Sequence, residues 1–342
     1  MIKYIIKGTL CLLLAGCTSV DFCDDAQHPH SANVSVDYSW ENVSVPTDSM
    51  VLIAYRPIND WKCVYMCSPL TAEGRYIFNK PEWLPASSEE FAVRTGELIF
   101  ATFNYSKDAF KYNYVENCKA AYFTSMSVEQ KTCTLNELPE YLTKGWKEYN
   151  KYAPYIIGDG NLVYRKVGLV GVPEDSYSLE MAPVSLMKNV TVSVDIVNSG
   201  VEIEKVIGEL SGVCYDFNLV KGTCNTKKTA KMLFEMKKTS SDATVYSANL
   251  QAMNVVANKS RNSYKGDGIL QLAIHTLLPD GGKKVYMARI NLINTLYNAG
   301  IQLSGIGGNC TISPLIALTV DKDNLTAPQN ASMYVDNWYI VK

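Results

Sequence analysis

Strict alternation of apolar and polar residues is the feature that most narrows the folds open to this chain. In Val34-Ser35-Val36-Asp37-Tyr38-Ser39-Trp40 every second residue is apolar, and Val190, Val192, Val194 and Ile196 repeat the pattern much later. Successive side chains of an extended strand point to opposite faces, so each run predicts a strand with one face in a core and the other toward solvent. Helical spacing is confined to one long stretch, Leu138, Leu142, Trp146 and Tyr149, with Pro139 near its start, Pro154 beyond its end and Gly145 inside.

Other segments agree with a β reading. Met50 to Tyr55 is an almost unbroken apolar run, which suits a more deeply buried strand. Residues 75–78, 97–105 and 162–172 read as strands in the first half. In the second half, residues 201–207, 213–220, 232–236, 245–250, 269–277, 284–289, 316–320 and 334–341 do the same, while 291–299 reads as a short helix. Turn residues separate them: Pro46-Thr47-Asp48-Ser49, Gly158-Asp159-Gly160, Lys221-Gly222 and Pro279-Asp280-Gly281-Gly282. The 22 tyrosines tilt the balance further toward strand. Short, regularly spaced strands predict an all-β fold of two tandem antiparallel β-sandwiches with one or two short helices. Met181-Ala182-Pro183-Val184 marks the junction, giving an N-terminal sandwich over 31–184 and a C-terminal one over 185–342. At 342 residues the chain is long enough for two cores, and its 47% hydrophobic and 19% charged content excludes extensive disorder. The absence of a short repeat argues against a solenoid or propeller.

The first residues carry an address. Residues 1–16 place Lys3 and Lys7 ahead of an apolar run ending in small residues, the grammar of a signal peptide. That run is far shorter than the ~20 residues of a spanning helix. Leu14-Ala15-Gly16-Cys17 reads as a bacterial lipobox, in which the Cys17 thiol takes a diacylglycerol and the new amino group a fatty acyl chain such as palmitate. Two or three chains give stable membrane attachment. Residues 17–30 then form a lipidated tether, and the stretch from Cys17 to His28 holds the folded part within about 35 Å of the bilayer. Its acids, Asp21, Asp24 and Asp25, are either a solvated linker or an export signal similar to that of surface lipoproteins in Bacteroidetes, which implies the outer face of the outer membrane. Net charge is −2, and losing Lys3 and Lys7 takes it to −4, which leaves no footprint for nucleic acid.

Of ten cysteines, Cys11 leaves with the signal and Cys17 is consumed by the lipid, leaving Cys23, Cys63, Cys67, Cys118, Cys133, Cys214, Cys224 and Cys310. An oxidising compartment permits disulfides, though connectivity is not readable from spacing. Cys118 with Cys133, and Cys214 with Cys224, are the local candidates because each pair flanks a turn; buried free thiols are the alternative. Cys63-x-x-x-Cys67 lacks the two-residue spacing of a redox or zinc pair.

Nothing in the sequence spells out catalysis. His28 and His30 flank Pro29 with no further metal ligand in register, and His275 lies in an apolar strand. No nucleophile elbow, zincin helix or phosphate loop occurs. Asp321-Lys322-Asp323-Asn324 lacks the glycine and distal glutamate of a calcium loop and reads as a surface turn, and Gly305-Ile306-Gly307-Gly308 reads as a plain loop. The chain is therefore expected not to be an enzyme, with no metal and no cofactor. Trp61, Trp83 and Tyr76, in or beside proline-rich sequence, are either a stacking platform for a glycan or ordinary core rings.

The chain resembles the Bacteroidetes fimbrial-anchor lipoproteins, the anchors of minor and major fimbriae and their lipoprotein relatives. The matching residues are Leu14 to Cys17, His28-Pro29-His30 leading into the first alternation, and Ile207-Gly208-Glu209-Leu210-Ser211-Gly212-Val213. Asp280-Gly281 before an alternating strand, Ile290-Asn291-Leu292-Ile293 and Ile312-Ser313-Pro314 belong to the same likeness. It implies transthyretin-like sandwiches and a structural or adhesive role as a fimbrial anchor or accessory subunit, with fimbrial subunits as partners. In polymerising subunits of this kind a protease removes the first strand and a neighbour's strand fills the groove, whereas anchors keep theirs. Here no arginine cleavage loop separates the halves, and cysteines this numerous depart from the family pattern. The short tether places the expected partner on residues 185–342. A surface glycan-binding lipoprotein using Trp61, Trp83 and Tyr76 is the alternative.

Overall fold

The computed structural model describes residues 31–43, 50–55, 65–67, 90–104, 110–113, 122–125, 127–128, 153–156, 162–173, 175–241, 243–256, 266–298, 309–312, 317–327 and 333–341. The signal and tether with Cys17, the expected strand over 75–78 and helix over 138–149, the loop 305–308, and Trp61, Tyr76, Trp83, Cys118 and Cys133 lie outside them. The described residues are overwhelmingly strand, with the one short helix Ile293–Asn298. Pairing is mostly antiparallel, as expected, but not throughout. Ser31–Tyr38 runs parallel to Asp175–Met181, and Lys188–Ser199 runs parallel to both Asn309–Ile312 and Ala317–Asp321. Among the described residues no helix is long and apolar enough to cross a membrane.

In the first half a five-stranded sheet runs in the order Val184–Ser185, Val163–Val172, Gly96–Asn104, Met50–Tyr55, Tyr65–Cys67. A three-stranded sheet places Ser31–Tyr38 between Asp175–Met181 and Glu90–Arg94. Met50–Tyr55 shows why its apolar run is unbroken. Leu52 and Ala54 point into a core shared with Val34, Leu98, Phe100 and Leu179, whereas Ile53 and Tyr55 point into a second core with Phe103, Phe123 and Phe217. One strand thus serves two cores, and neither face is left for polar residues.

The second half is dominated by a twelve-stranded sheet, nine strands of which follow one another along a single path. Val190, Val192, Val194 and Ile196 from Lys188–Ser199 meet Leu210, Leu270, Leu272, Ile274, Tyr286 and Ile290 from the opposing strands in one cluster. Full burial of each such aliphatic side chain is worth about 2 kcal/mol, so the alternation read from the sequence fixes which face turns inward. The two arms meet where Lys237 and Lys238 pair with Ser247 and Tyr246. The expected strands over 201–207 and 213–220 differ from the structure. Glu202–Cys214 is a single strand, and Asp216–Asn218 follows it as a separate short one. Gly212, at φ 80°, makes a bulge between Ser211 and Val213 that lets the strand continue past the apparent break.

Two small elements join residues on either side of position 184. Asp216–Asn218 pairs with Thr223–Cys224 on one side and with Tyr122–Ser125 on the other, and Phe110–Asn113 completes a four-stranded sheet. Lys231 also pairs with Tyr155, beside the bond from Lys231 N–H to the Pro154 carbonyl.

Candidate functional site

Among the described residues the first strand is Ser31–Tyr38. Ser31–Ser35 pairs antiparallel with Glu90–Arg94, and Ala32–Tyr38 pairs parallel with Asp175–Met181, so Ala32–Ser35 is paired on both sides. Val34 is 0% exposed and Ala32 2%. Val36 and Tyr38, on the same face by alternation, pack partly against that core. Beyond the ladder, the Tyr38 hydroxyl shares a hydrogen bond of 2.9 Å with Thr102 Oγ1, and Ser178 Oγ donates to Asp37 at 3.0 Å. Ser39 N–H closes the end on the Met181 carbonyl at 2.8 Å. The Tyr38 and Trp40 rings stack with centroids 5.6 Å apart. Removing this strand would open a slot lined by Leu52, Leu98, Phe100 and Leu179.

The bridging hairpin is the second feature. Phe217 lies stacked on Phe123 with centroids 6.2 Å apart and edge-on to Tyr164 at 5.2 Å. Tyr164 donates its hydroxyl to the Leu219 carbonyl, and burial pushes that phenol well above its ordinary value. Asp216 accepts from Thr124 Oγ1 at 2.8 Å and is paired with Lys228 at 3.2 Å. Gly222, at φ 68°, closes the turn that Lys221-Gly222 predicts. A cavity of about 560 Å³ opens beside the hairpin, walled by Asn218, Lys221, Thr223, Cys224, Asn225 and Lys228 among others. Cys214 and Cys224 are both free thiols here. Cys214 is fully buried at the end of its strand, and Cys224 is half-buried at the cavity wall. Burial first, then contact with the Cys224 thiol and the Asp216 carboxylate, raise the Cys214 thiol well above its ordinary range.

Sequence reasoning missed a buried polar row. Glu209, Gln271 and Arg289 sit directly opposite one another on three adjacent strands, all on the face turned away from the main core. Tyr155 donates its hydroxyl to Glu209 Oε2 at 2.5 Å, and the Lys231 ammonium lies 4.4 Å from the Tyr155 ring centre. Burial raises the Glu209 carboxyl, opposed by Lys231, Tyr155 and Arg289. Ile207, Ala273, Val285 and Met287 continue that face as a small apolar cluster. The signal was present as lone polar residues inside apolar runs, which look the same as ordinary interruptions. At the far end of this face, burial and Lys205 lower His275 to about 4, which keeps it neutral near pH 7.

The motifs weighed for metals resolve simply. Asp321 Oδ1 accepts from the N–H groups of Asp323 and Asn324, each at 2.7 Å, so Asp321-Lys322-Asp323-Asn324 is a turn between short strands. Among the described residues no three His, Cys, Asp or Glu side chains converge as a metal site. Of the expected site residues, Cys214 and Cys224 are brought together, and the others fall outside the described residues.

No family profile matches the chain, and no curated protein sequence matches it. Solved structures do resemble it. A candidate adhesin from Bacteroides ovatus aligns over 86% of this chain and 93% of its own, at 14% identity and a TM-score of 0.49. The fimbrial anchor protein Mfa2 from Porphyromonas gingivalis aligns over 91% and 98%, at 11% identity and a TM-score of 0.44. A candidate polysaccharide-binding protein from Bacteroides thetaiotaomicron aligns over 90% and 98%, at 11% identity and a TM-score of 0.42. The chain is similar in structure to these candidate adhesin, fimbrial-anchor and candidate polysaccharide-binding proteins.

Proposed function

We propose that this chain is a lipoprotein of the outer-membrane surface, attached through Cys17, that serves as a fimbrial anchor or accessory subunit. The observation that carries the reading is the position of Ser31–Tyr38, the first strand after the expected tether, bonded on both sides in the middle of its sheet. Tension entering from a lipid at Cys17 would run along the axis of this strand. The ladder bonds on both sides are then strained together instead of one after another, which is the arrangement an anchor needs. A subunit whose first strand is exchanged has the opposite requirement, a strand that leaves its slot. Two transthyretin-like sandwiches, over 31–184 and 185–342, are the finer architecture that goes with this reading, the second presenting the partner face.

The test is capture from cross-linked cells with a tagged full chain. Recovery of fimbrial subunits is expected, and loss of that recovery with Cys17→Ala, accompanied by release of the protein from the membrane fraction. Efficient capture that returns no fibre subunit overturns the anchor role. A second reading, surface glycan binding, is favoured by the polar cavity beside the bridging hairpin, whose amide and hydroxyl groups from Asn218, Thr223 and Asn225 suit sugar hydroxyls. A glycan array with the wild type, a Trp61→Ala/Trp83→Ala double variant, Tyr76→Ala and Asn225→Ala decides it: no bound polysaccharide removes the reading.

A further inference from the structure

We propose that Cys214 and Cys224 are a thiol pair that is oxidised through Cys224 to a disulfide, closing residues 214–224 into a ring at the base of the bridging hairpin. Cys214 is buried in a core cluster against which the Cys224 side chain packs, and the two thiols interact there. Cys214 Sγ also lies 3.3 Å from the Asp216 carbonyl, to which it donates. Both backbones are pinned where they are. Cys214 N–H is bonded to the Asn254 carbonyl at 2.8 Å, Cys224 is paired with Phe217, and Asn225 N–H holds the Asp216 carbonyl at 2.8 Å. With both backbones held by these bonds, the bridge has to form by side-chain rotation alone.

The two sulfurs differ in access, and that difference sets the order of steps. Cys214 is 0% exposed, whereas Cys224 lines the open cavity, whose rim carries Lys221, Lys227 and Lys228. A low-molecular or protein disulfide, preferably an anionic one, enters there. Cys224 gives its proton to solvent and its sulfur attacks one sulfur of the donor, forming a mixed disulfide and releasing the first donor thiolate, which takes up a proton. Cys214 then loses its proton and attacks the Cys224 sulfur, expelling the second donor thiolate. Two protein thiols are oxidised to one disulfide, and the donor disulfide is reduced to two thiols.

Formation of the bond in the cell rests on the export reading, but the chemistry can be tested without it. The reduced full chain is incubated with oxidised glutathione, quenched in acid, alkylated and mapped by mass spectrometry. A cross-linked peptide joining Cys214 to Cys224 is expected. Cys214→Ser should instead accumulate a glutathione adduct at Cys224, and Cys224→Ser should leave Cys214 unmodified until the chain is denatured. The oxidised wild type should melt about 5 °C above the reduced form, a difference lost in a Cys214→Ala/Cys224→Ala variant. Pairing of either residue with another cysteine, or both residues still alkylatable after oxidation, overturns the proposal. Alkylation trapping in whole cells separates the two readings: a bridge that forms with glutathione yet stays reduced in cells counts against export and leaves the thiol pair standing.

Discussion

At the scale of single residues, Gly212 and Glu209 show opposite kinds of constraint inside one strand. Gly212 holds φ 80°, and a Cβ there would lie 2.5 Å from the Gly268 nitrogen and 2.6 Å from the Val256 carbonyl oxygen. Both contacts are backbone and cannot yield cheaply, so Gly212→Ala is expected to cost about 3 kcal/mol in urea denaturation. Gly281, at φ 82° with open space around it, should lose less when changed to alanine. Glu209 is constrained by charge. Its carboxyl is raised in the folded chain, so its contribution to stability is fully present below the ordinary glutamate range and is lost as pH rises through the raised value. Glu209→Gln should therefore gain stability relative to the wild type as pH is taken from about 4 to 8, measured by denaturant midpoints. A difference that does not change with pH would show that the carboxyl titrates normally. Neither role was legible beforehand, because a bulge glycine and a buried acid both look like weak points in a strand pattern.

At the scale of elements, the first strand carries the sharpest expectation. Placing a charge at Val34, which is 0% exposed, should cost about 4 kcal/mol and free the strand. Limited proteolysis of Val34→Lys is expected to cut within residues 31–43 while the remainder stays protected. Asp37→Ala, at an exposed position, should behave as wild type in the same assay. Much at this scale was readable from sequence. Met50–Tyr55 and Ile269–Leu277 have the bounds their apolar runs imply, and Val190 to Ile196 turn the predicted face inward. What period-two patterning cannot say is which strand lies next to which. The parallel neighbours of Ser31–Tyr38 and Lys188–Ser199 are set by distant chain and leave no local trace. Cys214 and Cys224 could be singled out together for the opposite reason, since the turn at Lys221-Gly222 between them is local.

At the scale of the whole molecule, the question is how the two halves communicate. Phe217 belongs to the second half but is buried with Phe103, Phe123 and Tyr164 of the first. Phe217→Ala should remove about 4 kcal/mol. Because that loss falls on the bridge, the expected calorimetric result is a single melting transition in the wild type that separates into two in the variant. One transition at a lower temperature would instead mean that the remaining bridge contacts suffice.

The parallel pairing of Ser31–Tyr38 with Asp175–Met181 also governs when the protein can finish folding. Asp37 and Ser178, bonded across that ladder, are 141 residues apart along the chain. A local hairpin forms early, but this strand has no complete bed until residue 181 has been delivered. Ser31–Tyr38 is therefore made well before its bed and is among the last of the described strands to be seated, and until then its apolar face stays open to whatever escorts the chain.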